Sequence, residues 1–269
     1  MVRIRYRAKE VPSQMPNTVF QPIGHTSVVD TIVHQIENLI LNGILRDGAR
    51  LPSERDLAEQ MGVSRPKVRE ALKQLEDNDL IHVRHGEGTF VAPLIGSAMS
   101  PALISLYSRH QNAFLDYLEF RAEQESFAAG LAASRATKAD REILSTIMDQ
   151  METAHANNDL ATERDTDIRF HSAIIDASHN SLLVHTMSSI YALTRQNLFY
   201  NRDFLRSIDG TGDQLHAQHR EIFEAIHFGD PERASKAAND HIAFVQRSYV
   251  EEQTRSQRDQ VSARRLAML

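Results

Sequence analysis

The chain has 269 residues, of which 41% are hydrophobic and 25% are charged, and its formal net charge is −6. This length permits two domains with separate hydrophobic cores, and the absence of cysteine excludes disulfides and thiolate metal ligands. No apolar run approaches the roughly 20 residues of a membrane span, and the basic N-terminus lacks the apolar segment of a signal peptide. We therefore expect a cytoplasmic protein without membrane contact.

The first 25 residues contain four basic residues and three prolines with little hydrophobic periodicity. This composition predicts a flexible arm over residues 1–25, either a plain disordered tail or a source of extra phosphate contacts. Residues 26–45 then carry apolar residues at helical spacing, which predicts an amphipathic first helix ended by the turn at Asp47 and Gly48. Its apolar face consists of Val29, Ile32, Val33, Ile36, Leu39 and Ile40.

A helix-turn-helix is predicted from two closely spaced helix starts. Ser53 is placed to cap a helix over residues 54–61, and Ser64 is placed to cap a second helix over residues 65–77. Gly62 lies between the two helices and can adopt the left-handed conformation that the tight bend requires. The segment therefore has the organisation of a DNA-binding motif.

The second of these helices separates an apolar face from a basic one. Val68, Leu72 and Leu75 recur at helical spacing, whereas Arg65 and Arg69, four residues apart, point together to the other side. Such a face on an isolated helix is ordinarily only solvated. Its place inside a helix-turn-helix instead predicts insertion into the major groove of DNA.

Two short strands follow, over residues 80–84 and 89–91, joined by a His-Gly-Glu-Gly turn. The order of caps, turn, helix and wing predicts a winged helix-turn-helix domain over residues 26–92. Residues 93–111 contain Pro, Gly and Ser and form a linker with a short helix.

The rest of the chain shows helical periodicity and no strand signal. Six helices are expected, over residues 112–135, 138–157, 160–178, 181–201, 212–229 and 231–254. The fold class is therefore mostly α: the winged domain is followed by an antiparallel all-α bundle over residues 112–252. A polar tail over residues 253–269 is expected to fray.

Four polar residues of the bundle lie on otherwise apolar helix faces. Asp167 and His171 are four residues apart on one helix, and His219 and His241 occur on two later helices. One carboxylate and three imidazoles suit a borderline divalent ion such as zinc or nickel, which makes the four residues candidate metal ligands. The alternative is a set of buried histidines that hydrogen-bond to a carboxylate and hold no ion.

Arg121 borders the buried face of the first bundle helix. One interpretation is an intrahelical ion pair with Glu125, four residues further on. The other is a clamp for an anionic effector, because a guanidinium group matches a carboxylate in bidentate geometry. Arg195 and Asn197, on a later helix, are further candidates for lining the same effector pocket.

The N-terminal domain resembles that of GntR-family bacterial transcription regulators. The motifs are Leu-Pro-Ser-Glu-Arg-x-Leu-Ala, Gly-Val-Ser-Arg-Pro-x-Val-Arg-Glu-Ala-Leu and Gly-x-Gly-Thr-Phe-Val. With this resemblance we expect a homodimer whose recognition helices enter successive major grooves of a palindromic double-stranded DNA operator. Lys67 departs from the small polar residue that is common in the family. The predicted DNA-binding residues are Arg55, Ser64, Arg65, Lys67, Arg69, His85 and Gly86.

The bundle resembles the FCD effector domain of FadR-type GntR regulators. The motifs are Asp-x-x-x-His, His-Arg-Glu-Ile-Phe-Glu-Ala-Ile and Gly-Asp-x-x-x-Ala-x-x-Ala-x-x-Asp-His. The resemblance implies a divalent metal on the four candidate ligands and an organic acid that meets Arg121 beside it. The fatty-acyl-responsive branch lacks this histidine set, which argues against an acyl-CoA ligand.

Together these features predict a DNA-binding regulator, not an enzyme, whose operator binding responds to a small carboxylate effector, and the family resemblance implies that it is a repressor. Two alternatives stay open. One is a regulator whose metal is purely structural and which has no carboxylate effector. The other is a metal-dependent enzyme fused to a DNA-binding head.

Overall fold

The computed structural model describes residues 27–94, 102–103, 106, 112–195 and 211–268. The arm of residues 1–25 and Asn197 lie outside the described residues. Of the short helix expected after the linker, residues 102, 103 and 106 are described, and all three are helical. Within these parts of the chain, every helix is too short or too polar to cross a membrane.

The N-terminal domain, called the head below, consists of three helices and a two-stranded antiparallel sheet, as predicted. The elements are α1 (Val28–Leu41), α2 (Glu54–Met61), α3 (Arg65–Asp77), β1 (Ile81–Arg84) and β2 (Gly88–Val91). In the sheet, Ile81 pairs with Val91 and Arg84 with Gly88. The apolar helix faces and the base of the sheet enclose one core, which includes Val29, Ile32, Ile36, Leu57, Val68, Leu72, Leu75, Ile81 and Val91.

The first helix ends earlier than predicted, at Leu41 and not at residue 45. Gly43 adopts a φ of +68°, and the N–H of Ile44 donates to the carbonyl of Leu39 at 2.9 Å. This left-handed glycine closes the helix before the Asp47-Gly48 turn is reached.

The two predicted caps of the helix-turn-helix differ from each other. Ser53 Oγ accepts the backbone N–H of Asp56 at 3.2 Å, as expected. Ser64, in contrast, makes no side-chain cap hydrogen bond. The physical reason is that Pro66 stands where one N–H donor would be and has none, while the N–H of Lys67 donates to the Ser64 carbonyl at 3.0 Å.

The described residues of the C-terminal domain, called the bundle below, form six helices from Asn112 onward. They are α4 (Asn112–Arg135), α5 (Lys138–Ala156), α6 (Leu160–Ala177), α7 (Ser181–Arg195), α8 (Thr211–His227) and α9 (Pro231–Leu266). α4 packs against α9 and α6, α5 packs against α6, and α8 packs against α5 and α9. The main core includes Ala128, Ala132, Leu144, Met148, Phe170, Ile174, Met187, Ile222 and Ile226. The alanines of α4 permit the close approach of its neighbours.

The last helix is longer than predicted, because α9 continues to Leu266 where fraying was expected from Gln253. This continuation is exposed to solvent. Its helical form is supported by an ion pair between Arg255 and Glu252 at 3.5 Å. Arg264 and Arg265 in the last turn also complement the negative end of the helix dipole.

The head contacts the bundle at the segment that follows α1. Arg46 Nη2 lies 2.5 Å from Asp176 Oδ2, and His185 Nε2 donates to the carbonyl of Leu41 at 3.1 Å. A Cβ placed on Gly43 would lie 2.6 Å from Val184 Cγ1, so the two domains approach closely at this glycine. A crevice of about 440 Å³ lies beside these contacts.

Candidate metal centre and DNA-binding surface

Helices α6, α8 and α9 bring the four candidate metal ligands together inside the bundle. Asp167 and His171 lie one turn apart on α6, His219 lies on α8 and His241 lies on α9, and all four are buried. One ring nitrogen from each histidine lies within 4.8 Å of the others. Asp167 Oδ1 is 3.1 Å from His219 Nε2 and 3.6 Å from His171 Nε2.

The donor set and its spacing fit a divalent ion. Ligand atoms about 2.0–2.1 Å from a tetrahedral ion are about 3.3–3.4 Å apart, and the Nε2 atoms of His171 and His219 are separated by 3.4 Å. His241 Nδ1 is engaged by Gln218 Oε1 at 3.0 Å, which leaves its Nε2 for an ion. Imidazole and carboxylate donors suit zinc or nickel.

Glu125 is a buried part of this site that the sequence suggested only as a partner for Arg121. Its Oε2 lies 2.8 Å from His171 Nδ1, while its Oε1 accepts hydrogen bonds from Arg121 Nε at 2.6 Å and from the Tyr191 hydroxyl at 2.8 Å. A carboxylate at Nδ1 fixes the orientation of His171 and leaves Nε2 available as a ligand. The signal in the sequence was a carboxylate four residues from an arginine on a buried face.

The charges of the site control where its protons reside. Burial lowers the pKa of His171, but the charges of Glu125 and Asp167 outweigh it and raise that pKa to about 9. Burial, followed by the charges of His219 and His171, holds the pKa of His241 well below its usual value. In the metal-free site, His171 is therefore protonated on both ring nitrogens and carries a positive charge at neutral pH.

Arg121 forms the ion pair with Glu125 that was one of its two interpretations. Its side chain is only 4% exposed, and its Cζ lies 5.6 Å from the Tyr117 ring centroid and 5.8 Å from that of Tyr191. Arg121 is therefore linked to His171 through the Glu125 carboxylate, which contacts both side chains. Arg195 is the last residue of α7, and its side chain lies outside the described part of the chain.

The predicted DNA-binding residues lie on α2, at the start of α3 and in the wing turn. Arg65 is exposed in the first turn of α3, and Arg55 is exposed on α2 with its Nε 3.5 Å from Asp56 Oδ1. His85 and Gly86 are exposed between the strands, where Gly86 has a φ of +79°. Ser64 is the N-cap residue of α3.

Two basic residues of α3 carry carboxylate partners that the sequence did not reveal. Lys67 Nζ lies 3.0 Å from Glu70 Oε2, within the same helix. Arg69 forms two hydrogen bonds with Glu54 of α2, from Nε to Oε1 at 3.0 Å and from Nη2 to Oε2 at 2.7 Å. The second pair joins residues 15 positions apart, so only the packing of α2 against α3 makes it visible.

Comparisons with known proteins match both domains. Residues 28–91 match the model of bacterial regulatory proteins of the gntR family, and residues 116–244 match that of the FCD domain. The chain is 34% identical to the Glc operon transcriptional activator of Escherichia coli K12 over 224 residues, which are 82% of this chain and 88% of that protein.

Two further relatives have similar coverage. Identity is 32% over 220 residues to the "Putative L-lactate dehydrogenase operon regulatory protein" of the same strain, covering 80% of this chain and 84% of that protein. It is 32% over 209 residues to the HTH-type transcriptional regulator LutR of Bacillus subtilis 168, covering 77% and 94%. Because these relatives are transcription regulators, the chain is a DNA-binding regulator and not an enzyme. It belongs to the GntR family of bacterial transcription regulators and carries an FCD effector domain.

Proposed function

We propose that this regulator is a FadR-type homodimer that represses a palindromic operator until a small carboxylate binds beside a divalent metal in its bundle. The observation that carries the proposal is the convergence of Asp167 and three buried histidines in the effector domain. The two heads would place α3 in successive major grooves. When bound, the metal would accept carboxylate oxygens as further ligands, by expanding its coordination beyond these four protein donors.

The buried charges around the site favour an effector with a single negative charge. Asp167 and Glu125 are anionic, Arg121 is cationic, and all three are buried. With neutral histidines, a divalent ion leaves one positive charge that nothing in this set offsets. A small monocarboxylate would balance that charge, because an uncompensated charge is costly in a buried site. The name of one relative, which refers to L-lactate dehydrogenase, agrees with an acid of this kind.

Arg121 would contact the acid while keeping its bond to Glu125. Its Nε donates to Glu125, and that bond does not use the Nη1 nitrogen. A guanidinium group held in this way presents a fixed edge to a carboxylate. Replacement of Arg121 should therefore weaken acid binding more than metal binding.

Admission of the acid would require movement of side chains. Among the described residues, a cavity of about 20 Å³ borders His219 on the side of His155 and His216, which is enough for about one water molecule, and Arg121 does not line it. A ligand that enters so small a space must displace what surrounds it. This displacement is the source of the conformational change in our proposal.

Helix α6 offers a direct route from the candidate metal site to the head. It carries Asp167 and His171, and five residues after His171 it carries Asp176, which contacts Arg46. α6 has no glycine or proline over Leu160–Ala177 that would bend it. Movement of its ligand-bearing part would therefore change the contact with the head and alter the spacing of the two heads.

The test is a thermal-shift and operator-binding experiment on protein whose metal content is known. L-lactate should raise the melting temperature and weaken operator binding, whereas lactamide, which matches it in size but has no charge, should do neither. Chelation should abolish the effect of L-lactate. A metal-loaded protein that no small carboxylate stabilises would support the structural-metal alternative, and a reporter gene would give the sign of regulation. Light scattering with and without operator tests the dimer.

A further inference from the structure

The bidentate pair between Glu54 and Arg69 joins the two helices of the helix-turn-helix. Glu54 is the first residue of α2, where the positive end of the helix dipole favours a carboxylate. Arg69 lies in the second turn of α3 and donates two hydrogen bonds to the carboxylate from one edge of its guanidinium group. The Arg69 side chain is 67% exposed, so the pair does not remove it from solvent.

The geometry leaves one edge of the Arg69 guanidinium available. Nε and one hydrogen of Nη2 face Glu54. The opposite edge, formed by Nη1 and the second hydrogen of Nη2, presents two parallel N–H donors. Two donors in this arrangement match the O6 and N7 acceptors that guanine exposes in the major groove.

The carboxylate also reduces the attraction of Arg69 for phosphate. The hydrogen bond from Arg69 lowers the pKa of Glu54 against a slight effect of burial, and the charges of Arg69 and Arg65 lower it further. Glu54 is therefore ionised at neutral pH and offsets a charge that would otherwise bind the DNA backbone without regard to sequence.

The neighbouring pair on α3 lacks this property. Lys67 also has a carboxylate partner, Glu70, at 3.0 Å. An ammonium group rotates freely and has no planar edge, so Glu70 offsets its charge without orienting it. Of these two pairs on α3, the Arg69 pair combines charge compensation with a fixed direction of the remaining donors, and the Lys67 pair does not.

We propose that Glu54 is a positioning residue that holds Arg69 as a reader of guanine and limits its use as a phosphate contact. This inference rests on the proposed placement of α3 in the major groove. The ligand is double-stranded DNA with a guanine opposite Arg69. Glu54 itself would touch no base.

The experiment uses full-length, metal-loaded protein and a duplex selected from randomised double-stranded DNA. The guanine read by Arg69 is identified as the base position at which the Arg69→Lys variant loses its preference for guanine. That guanine is then replaced by adenine or by 7-deazaguanine, which lacks the N7 acceptor. Discrimination at that position should fall by roughly 5- to 150-fold in Glu54→Gln. Binding to a random-sequence duplex should strengthen, with a salt dependence steeper by about one phosphate.

Two further variants separate position from charge. Glu54→Asp keeps the negative charge but shortens the side chain, so it should lose discrimination without gaining non-specific affinity. Glu59→Gln makes the same charge change at an exposed site of α2 and should keep the discrimination of the parent. Melting temperatures of all variants report whether the head remains folded.

Undiminished discrimination in both Glu54 variants, in a protein whose Arg69→Lys variant has lost it, would overturn the inference and leave the groove placement intact. Equal effects of Glu54→Gln and Glu59→Gln would also overturn it, because net charge alone would then explain the change. If Arg69→Lys keeps every base preference, Arg69 reads no base, and its place in the proposed function fails together with the role of Glu54.

Discussion

Arg46 Nη2 lies 2.5 Å from Asp176 Oδ2, and this ion pair joins the head to the helix that carries two candidate metal ligands. Both side chains are 41% exposed, so the pair should contribute less than about 1 kcal/mol to stability. Burial raises the pKa of Asp176, and the Arg46 guanidinium opposes that effect. The interest of the pair therefore lies in what it connects.

Replacement of Arg46 by glutamine should uncouple the two domains. We expect operator affinity in the absence of acid to change little. The change in operator affinity caused by a small carboxylate, roughly 5- to 150-fold for typical allosteric coupling, should nearly disappear. Fluorescence anisotropy with labelled operator measures both quantities. Arg169→Gln serves as the control, because Arg169 lies on α6, as Asp176 does, but pairs with Asp165 and Gln150 at the exposed surface of the bundle. An unchanged response in Arg46→Gln would exclude this contact as the route.

Gly43→Ala should destabilise the protein more than Gly48→Ala. Both glycines have positive φ, +68° and +75°, so both variants lose about 1–2 kcal/mol from backbone strain. Only at position 43 would the new methyl group also meet Val184, whereas nothing lies within 4 Å at position 48. Chemical denaturation should show a larger loss for Gly43→Ala, and Val184→Ala should restore part of it. Equal losses would mean that the domains do not press together here.

Replacement of His219 or His241 by alanine should empty the metal site. Each removes one of three converging imidazoles, and the remaining donors hold a divalent ion weakly. Elemental analysis of purified protein measures the metal content directly. His34→Ala is the control, since His34 is an exposed residue of the head. Equal metal in the His219 variant and the parent would show that the ligand assignment is wrong.

Metal binding should release a proton. His171 in the metal-free protein has a pKa of about 9 and is protonated at neutral pH, but an ion requires the neutral ring. Apparent metal affinity should therefore rise about tenfold per pH unit up to about 9. Calorimetry in buffers of different ionisation enthalpy counts the proton, and a heat independent of buffer would contradict the prediction.

The same raised pKa has a consequence for stability. The unfolded chain releases this proton near 6.5, whereas the folded chain keeps it to about 9. The stabilisation from protonated His171 is thus present below about 6.5 and is lost as the pH rises to about 9. Melting temperatures of metal-free protein across this range should show the loss.

At a pH above about 9, where His171 no longer binds a competing proton, Glu125→Gln should weaken metal binding by about 10- to 100-fold. The amide cannot stabilise a charge on His171, so the pKa of His171 should also fall. Competition with a chelator of known affinity measures the first effect, and NMR titration of the histidine rings measures the second. Glu123→Gln, at an exposed position of the same helix, should alter neither.

Local sequence signals predicted the fold well because they act over a few residues. Ser53 and Gly62 mark helix boundaries that the structure reproduces. The early end of α1 is also a local effect, of the left-handed Gly43, whereas the close approach of Gly43 to Val184 depends on the packing of the two domains.

The candidate site divides in the same way. The spacing of Asp167 and His171 on one helix predicted that they share a face. The apolar neighbours of His219 and His241 predicted that both are buried, as the structure shows. Glu125 was placed beside Arg121 by spacing, but its contact with His171 depends on how α4 packs against α6. Tertiary packing, which sequence periodicity does not specify, likewise determines the partner of Arg69.

The unbroken course of α6 has a mechanical consequence. Each residue of a helix turns the chain by about 100°, so His171 and Asp176 point in directions that differ by about 140°. A small rotation of α6 about its own axis that starts at His171 would therefore move Asp176 laterally relative to Arg46. The helix has no bend between these residues that could take up the rotation. The helix would therefore convert rotation about its axis in the core into lateral displacement of Asp176 at the contact with the head. One alanine inserted between the two residues would rotate Asp176 by about a further 100° relative to His171 and so disrupt this coupling, whereas longer loops at either end of α6 would preserve it.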